Sequence, residues 1–186
     1  MKSSLFVLFL MAVVSAWAQP ASDTGYAAQT REFIRFYRVW MRSPDTAAVS
    51  LVADTTLLAY CLPVLAKDSV DLSPGDLAGA KALLAHRPFV NWTPDLLGPT
   101  RFILSPDSTS AVFGRAGPEK GWDAFHKRYG PSLESYSFPL FFHHYTLCLF
   151  SGGTSEDYLG GGGFVALYRK EGAHWVLVKR LYTWMI

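Results

Sequence analysis

The feature that most constrains the fold is the order in which two hydrophobic patterns follow each other along the chain. Patterns with the 3.6-residue period of a helix come first; within residues 24–42, Phe33, Tyr37 and Trp40 fall on one face. Apolar runs typical of strands fill the C-terminal part. Because helices gathered early and antiparallel strands gathered late are typical of the α+β class, we predict N-terminal helices packed on one face of a mainly antiparallel C-terminal sheet.

Start and stop signals divide the helical part into shorter segments. A Ser-Pro pair opens residues 43–52 and Ser-Pro-Gly-Asp opens residues 73–87, and serine caps helices while proline occupies their first position. A further helix is predicted over residues 119–129, which a Gly-Pro pair ends. Residues 57–65 are apolar but contain a proline, so they fit either a short strand or a buried turn of helix.

Strand patterns begin near residue 101. Residues 101–105 and 109–114 predict two strands joined by a Pro-Asp-Ser turn. Residues 138–150 predict one long apolar strand, and residues 164–170 and 174–185 predict a hairpin. Strict alternation in the last strand places apolar and polar side chains on both of its faces, so we expect one face to be only partly covered.

The N-terminus predicts export from the cytoplasm. Lys2 precedes an unbroken apolar run over residues 5–14, and Ala-Trp-Ala at residues 16–18 matches the small-x-small pattern that signal peptidase cleaves. We therefore expect residues 1–18 to be a signal peptide and residues 19–186 to form a single α+β domain. We expect the processed protein to be periplasmic or secreted. The junction lacks the cysteine that would carry a bacterial lipid anchor, so we expect none. No second apolar run reaches the roughly 20 residues of a membrane span.

Composition narrows the function classes. Half of the residues are apolar and the formal net charge is only +2, which indicates a globular chain and argues against a dedicated nucleic-acid binder. The two cysteines are Cys61 and Cys148. In an oxidising compartment they permit a disulfide; the alternative is two buried free thiols, because both lie in apolar segments.

The first candidate binding surface is a row of arginines on the first predicted helix. Arg31, Arg35, Arg38 and Arg42 fall at i, i+4, i+7 and i+11, which places four guanidinium groups on one helix face. Guanidinium groups suit the recognition of phosphates and carboxylates. We expect this row either to contact an acidic protein partner or a membrane surface, or to be the solvated face of an amphipathic helix.

The second candidate surface is aromatic. Trp122, Tyr129 and Tyr136 lie close together in sequence, around the junction of a predicted helix and a predicted strand. If exposed, these rings would stack on a sugar or a peptide. The alternative is that they belong to the core, where aromatic side chains bury the most surface per residue.

No pattern predicts a metal, a cofactor or a catalytic centre. His143 and His144 lie in a predicted strand, where neighbouring side chains point to opposite faces and do not chelate one ion. The glycines at residues 160–163 are not followed by the Lys-Ser/Thr of a phosphate-binding loop. A hydrolase with an unmarked active site is a further alternative, for which His144, Cys61 or Asp157 would have to converge in one cleft.

The C-terminal half carries a series of short motifs. They are Trp122 with Phe125 and Tyr129-Gly130, Ser-Phe-Pro-Leu-Phe at residues 137–141, the glycine-rich loop and a closing hairpin that bears tryptophans. In these motifs the chain resembles small exported bacterial proteins of unknown function, which often carry cysteines in the glycine-rich loop that this chain lacks. The resemblance implies the compartment and the C-terminal hairpin, and no activity. In the order of its elements the chain is also similar to the NTF2-like fold, a cone that encloses a pocket.

These observations predict an exported, soluble, non-catalytic module that binds a small molecule or a peptide on the open face of its sheet. The alternative is an interaction protein that uses the arginine row. Neither prediction involves a cofactor, a nucleic acid or a transmembrane span after processing.

Overall fold

The computed structural model describes the chain in five segments, residues 23–43, 47–68, 72–98, 102–114 and 117–186. The expected signal peptide lies outside these segments. Within them, none of the helices combines the length and the apolar character needed to cross a bilayer.

The described segments contain six helices and seven strands. In chain order these are α1 (Asp23–Met41), β1 (Ala48–Ser50), α2 (Thr56–Asp68), α3 (Pro74–His86), α4 (Pro94–Leu97), β2 (Phe102–Leu104), α5 (Pro106–Phe113), α6 (Gly117–Tyr129), β3 (Leu133–Tyr136), β4 (Leu140–Phe142), β5 (Leu147–Ser155), β6 (Gly161–Glu171) and β7 (His174–Met185). The predicted α+β class is confirmed. The helices are not all N-terminal, however, because α5 and α6 follow β1 and β2.

All seven strands belong to one sheet of order β2-β1-β3-β5-β6-β7. On one edge of β5, β4 pairs with residues 147–149 and β3 pairs with residues 152–155. The pairings of β1 with β2 and with β3 are parallel, and the others are antiparallel. The sheet is therefore mainly antiparallel, as predicted.

Helix α1 packs on one face of the sheet through aromatic side chains. The ring centroid of Phe33 lies 5.0 Å from that of Phe150 and 5.2 Å from that of Tyr168. The close approach requires Gly152, because a Cβ at this position would lie 2.0 Å from the hydroxyl oxygen of Tyr37. Aromatic side chains and the small size of Gly152 thus fix α1 against the sheet.

Helix α2 contacts the opposite face. Its Tyr60 lies against Tyr182 of β7, with 6.0 Å between the ring centroids. Tyr182 pairs with Val165, and the neighbouring Phe164 contacts Tyr37 of α1. Because successive strand residues point to opposite faces, Tyr182 points away from α1. The expectation that the helices pack on one face only is wrong.

A second, smaller core joins α6 to the end of the sheet formed by β1 and β2. Its buried members are Ala48, Leu104, Trp122, Phe125 and Tyr129. The last three recur at helical spacing, so one face of α6 is buried. The predicted helix over residues 119–129 is confirmed.

Residues 43–52 do not form the expected helix. Residues 48–50 are strand β1, which lies between β2 and β3, and residues 44–46 lie outside the described segments. Ala48 and Val49 are fully buried in the sheet. A three-residue central strand has no periodic pattern of its own, and its burial outweighs the local signal for a helix start.

Two further segments of the helical part, residues 57–65 and 73–87, are largely helical in the structure. Helix α3 starts as predicted: the Ser73 hydroxyl accepts from the Asp76 amide at 3.1 Å, and the Asp76 carboxylate accepts from the Ser73 amide at 3.0 Å. The ambiguous residues 57–65 belong to helix α2, which contains Pro63 in its interior.

Residues 109–114 are largely helical, so the second strand expected between residues 101 and 114 is wrong. The Ser105 hydroxyl caps α5 by accepting from the Ser108 amide at 3.2 Å, and Pro106 is the first helical residue. The Ser-Pro-Asp sequence therefore starts a helix here, as Ser-Pro does at α3. The first strand of the expected pair is confirmed as β2.

Residues 138–150 are not one strand. A turn separates β4 from β5, in which His143, His144 and Tyr145 have φ of 46°, 55° and 65°. Three consecutive left-handed residues that are not glycine are rare. No glycine, proline, asparagine or aspartate lies within residues 142–147 to mark the turn. Strand β3 precedes this pair and was not predicted.

The predicted C-terminal hairpin is confirmed as β6 and β7, joined at Gly172 with φ of 62°. Two register shifts interrupt the alternation that was expected for β7. As a result, Arg180 pairs with Ala166 while Tyr182 pairs with Val165. These two side chains, expected on one face, therefore lie on opposite faces.

Candidate functional site

A cleft between α1 and α4 brings the predicted arginines together. Its volume is about 480 Å³, within the range typical of small-molecule sites. The residues that line it are Arg31, Arg35, Arg38, Val39, Arg42 and Ser43 on the side of α1, and Asp95, Leu96, Leu97 and Gly98 on the side of α4. All four arginines of the row thus face one cavity, which we call the arginine cleft.

The packing of α1 decides which arginines a ligand can reach. The aromatic face of the helix, including Phe33, is buried against the sheet, so the arginine row lies toward the outside of the molecule. Arg31, Arg35 and Arg42 are exposed, whereas Arg38 is only 7% exposed. A ligand can therefore reach Arg31, Arg35 and Arg42, whereas the buried Arg38 forms part of the wall on the side of α1.

The opposite wall is a single helical turn anchored in the core. Leu97 is 3% exposed and belongs to the main core, against which Leu96 also packs. Pro94 is the first helical residue, and Gly98, at φ of 73°, ends the turn by donating its amide hydrogen to the Pro94 carbonyl at 2.9 Å. The exposed Asp95 is the one acid among the described lining residues.

A buried carboxylate fixes one end of the cleft to the sheet. Glu134 of β3 is 3% exposed and accepts hydrogen bonds from the hydroxyls of Ser43 and Tyr136. Ser43 also donates its amide hydrogen to the Arg38 carbonyl at 2.9 Å, and Arg42 adopts a left-handed φ of 54°. The C-terminal end of α1 is therefore positioned by β3.

The charges near this end act on two buried tyrosines. Burial raises the pKa of the Tyr136 hydroxyl far above its usual range, the Glu134 carboxylate raises it further, and Arg38 partly opposes both. The pKa of Tyr37 is raised by burial first and by Glu134 second. Both hydroxyls therefore stay protonated at neutral pH, and that of Tyr136 donates to the Glu134 carboxylate.

The lining is suited to binding an anion. A guanidinium group presents its donors in a planar fork that matches phosphate and carboxylate oxygens. Among the lining residues that the structure describes there is neither a histidine nor a cysteine.

The aromatic candidates do not form a surface together. Trp122 and Tyr129 are buried in the second core, and Tyr136 is buried in the main core. Their positions correspond to the core alternative.

Cys61 and Cys148 are free thiols buried in the main core. Burial raises the pKa of both thiols, which disfavours the reactive thiolate. This arrangement corresponds to the second of the two sequence alternatives, two free thiols.

The residues named for the hydrolase alternative lie on separate elements. Cys61 is buried on α2, and His144 is exposed in the turn between β4 and β5. Asp157 lies in the exposed loop after β5, where it accepts from the Leu159 amide at 2.7 Å. None of them lines the arginine cleft.

The face of the sheet opposite α1 carries a short row of aromatic rings. Tyr182 and Trp184 stack with centroids 6.1 Å apart, and Tyr60 meets Tyr182 edge-on. The indole of Trp184 lies over Gly153 and Gly163, where a Cβ would overlap it. The row offers aromatic surfaces for stacking, with two tyrosine hydroxyls and one indole N–H as its own polar groups. It carries no charge of its own to select a ligand, so it is less specific than the cleft.

Several residues of the cleft were not predicted. The Thr-Pro-Asp sequence at residues 93–95 is a helix start like the one at α3 and could have indicated α4. No local signal shows that α4 faces α1, or that Glu134 lies behind Ser43, because both contacts join distant parts of the chain.

The chain matches no protein-family model, no curated protein and no solved structure. The chemistry of the cleft is therefore the basis for assigning a function.

Proposed function

We propose that the protein is a non-catalytic binding module that holds a small anionic molecule, bearing a phosphate or a carboxylate, in the arginine cleft. The observation that carries the proposal is that all four arginines of the row line one cleft, in which Asp95 is the one acid among the described lining residues. Cations that are held close together repel one another, so an anionic ligand stabilises the arrangement.

The shape of the site favours a small ligand over an acidic protein partner. A cavity of about 480 Å³ matches a small molecule, whereas a stable protein interface covers roughly 800 Å² on each partner. The second wall, with Leu96 and Leu97, also distinguishes the row from a helix face that contacts only water.

We further propose that binding takes place outside the cytoplasm. Support comes from the signal-peptide pattern of residues 1–18 and from the resemblance of the C-terminal motifs to exported bacterial proteins. The intact mass of the protein recovered from the secretory compartment should correspond to a chain that starts at Gln19. A chain in that compartment that retains Met1 would contradict this part of the proposal.

Isothermal titration calorimetry with inorganic phosphate and with citrate tests the binding proposal. We expect at least one of these anions to bind, with an affinity that falls as salt is added. Arg31→Glu and Arg35→Glu reverse exposed charges in the cleft and should each lower the affinity at least tenfold.

Lys81→Glu is the matched control, because it makes the same change of charge at an exposed position on α3. It should leave the affinity nearly unchanged. If the wild-type protein binds neither anion, or if all three variants lose affinity equally, the proposal is wrong.

A further inference from the structure

We infer that the ligand of the arginine cleft is an anionic amphiphile, a molecule with one phosphate or carboxylate headgroup joined to an apolar body. This inference rests on the proposed anion-binding function and adds the second part of the ligand. It follows from the apolar lining of the cleft and from the positions of the negative charges around it.

One wall of the cleft is apolar and fixed in place. Leu97 is anchored in the main core, and Leu96 packs against that core while also lining the cleft. A ligand that consists only of a charged group leaves the half-buried Leu96 in contact with water. An apolar body placed against the wall removes apolar surface from water, which favours binding.

Val39 extends the apolar surface into the arginine row. Its side chain is 75% exposed and lies one helical turn after Arg35, and it lines the cleft together with the arginines. A purely ionic site gains nothing from a valine at this position, whereas an amphiphile would cover it.

Negative charges place the headgroup toward Arg31 and Arg35. The buried Glu134 carboxylate accepts from Ser43 and therefore lies behind the other end of the cleft. The C-terminus of α1 lies at that end too, and a helix C-terminus carries a partial negative charge. Both charges offset part of the attraction that Arg38 and Arg42 exert on an anion, so the headgroup contacts Arg31 and Arg35 while the apolar body extends along Val39.

Asp95 favours a single headgroup over a polyanion. It is exposed and lies on α4, the same short helix that supplies the two leucines of the apolar wall. A second anionic group that reached α4 would meet this carboxylate at close range, and like charges repel.

Calorimetry with methyl phosphate and with octyl phosphate below its micelle concentration tests the inference, because the two ligands share one headgroup. Octyl phosphate should bind at least tenfold more tightly, since each buried methylene contributes about fourfold. Arg35→Glu should weaken the binding of both ligands. Val39→Ser should weaken only octyl phosphate, and Val178→Ser, at a 45% exposed position on β7, should change neither affinity.

Equal affinities for the two phosphates, or an unchanged affinity of Val39→Ser for octyl phosphate, would overturn the amphiphile inference and leave anion binding intact. If neither methyl phosphate nor octyl phosphate binds, the amphiphile inference is wrong; if citrate and inorganic phosphate also fail to bind, the proposed function is wrong as well.

Sedimentation with phosphatidylcholine vesicles, prepared with and without phosphatidylglycerol, identifies the source of the amphiphile. If the protein sediments with the anionic vesicles and octyl phosphate prevents this, a bilayer lipid is supported as the ligand. Binding of octyl phosphate without capture on vesicles supports a free amphiphile.

Discussion

At the scale of single residues, the position of α1 depends on the glycine at position 152. Gly152 lies in the middle of β5, where a glycine weakens a strand, yet its lack of a Cβ lets the Tyr37 ring rest on the backbone. Tyr37 stacks edge-on against Phe150, with centroids 4.7 Å apart, on the side of the helix away from the arginine row. The glycine therefore contributes to holding the arginines in place.

We predict that Gly152→Ala lowers the free energy of unfolding by about 1–3 kcal/mol, because the added methyl group overlaps Tyr37 in a packed core. Urea denaturation measures the effect. Gly79→Ala is the matched control: a Cβ there meets no atom within 4 Å, so the change should stabilise helix α3 by about 0.5–1 kcal/mol. Equal stability of Gly152→Ala and the wild-type protein would contradict the packing described for α1.

At the scale of elements, the start of α3 is tied to the turn between β4 and β5. The Asp76 carboxylate accepts from the Ser73 amide and hydroxyl and from the His143 amide, the last at 3.2 Å. Burial alone would raise the pKa of Asp76, but the hydrogen bonds from Ser73 and His143 outweigh it and hold the pKa below its usual value. One carboxylate thus joins a helix cap to a left-handed turn.

We predict that Asp76→Asn lowers the free energy of unfolding by about 1 kcal/mol at neutral pH. Because the pKa of Asp76 is lower in the folded state than in the unfolded state, its stabilisation is complete above the unfolded value of about 3.9 and is lost as the pH falls through the folded value. The difference between wild-type and variant should therefore shrink in acid, as denaturation at several pH values will measure.

Asp123→Asn, at an exposed position on α6, serves as the control and should change stability little at any pH. A difference between Asp76→Asn and the wild-type protein that stays constant down to acid pH would show that the carboxylate charge does not stabilise this junction.

At the scale of the whole molecule, the correctly predicted elements carry local signals, whereas strands defined by distant partners carry none; α4 and α5 were missed although each begins with a local helix-start sequence. Helix α3 has its capping box and the C-terminal hairpin has its turn glycine, so both follow from a few neighbouring residues. Strand β1 is three residues long and is defined by parallel pairing with β2 and β3, which are far away in sequence. Pairing between such distant strands leaves no periodic pattern in the sequence.

The candidate site divides in the same way. The arginine row was predicted, because its members repeat at helical spacing within one segment. The wall that turns the row into a cleft was not, because Leu96 and Leu97 face α1 only through the tertiary fold. The function proposed here therefore depends on a juxtaposition of α1 and α4 that propensity and spacing do not encode.

The most direct test of the central claim, that the arginine cleft binds anions, is an NMR titration that observes the arginine Nε–Hε groups while methyl phosphate is added. We predict that the signals of Arg31 and Arg35 shift together and saturate, because both are exposed and line the cleft. The signals of Arg128 and Arg169, which lie outside the cleft on α6 and β6, should stay in place. Shifts of equal size at all four arginines, or no shift at Arg31 and Arg35, would contradict the account.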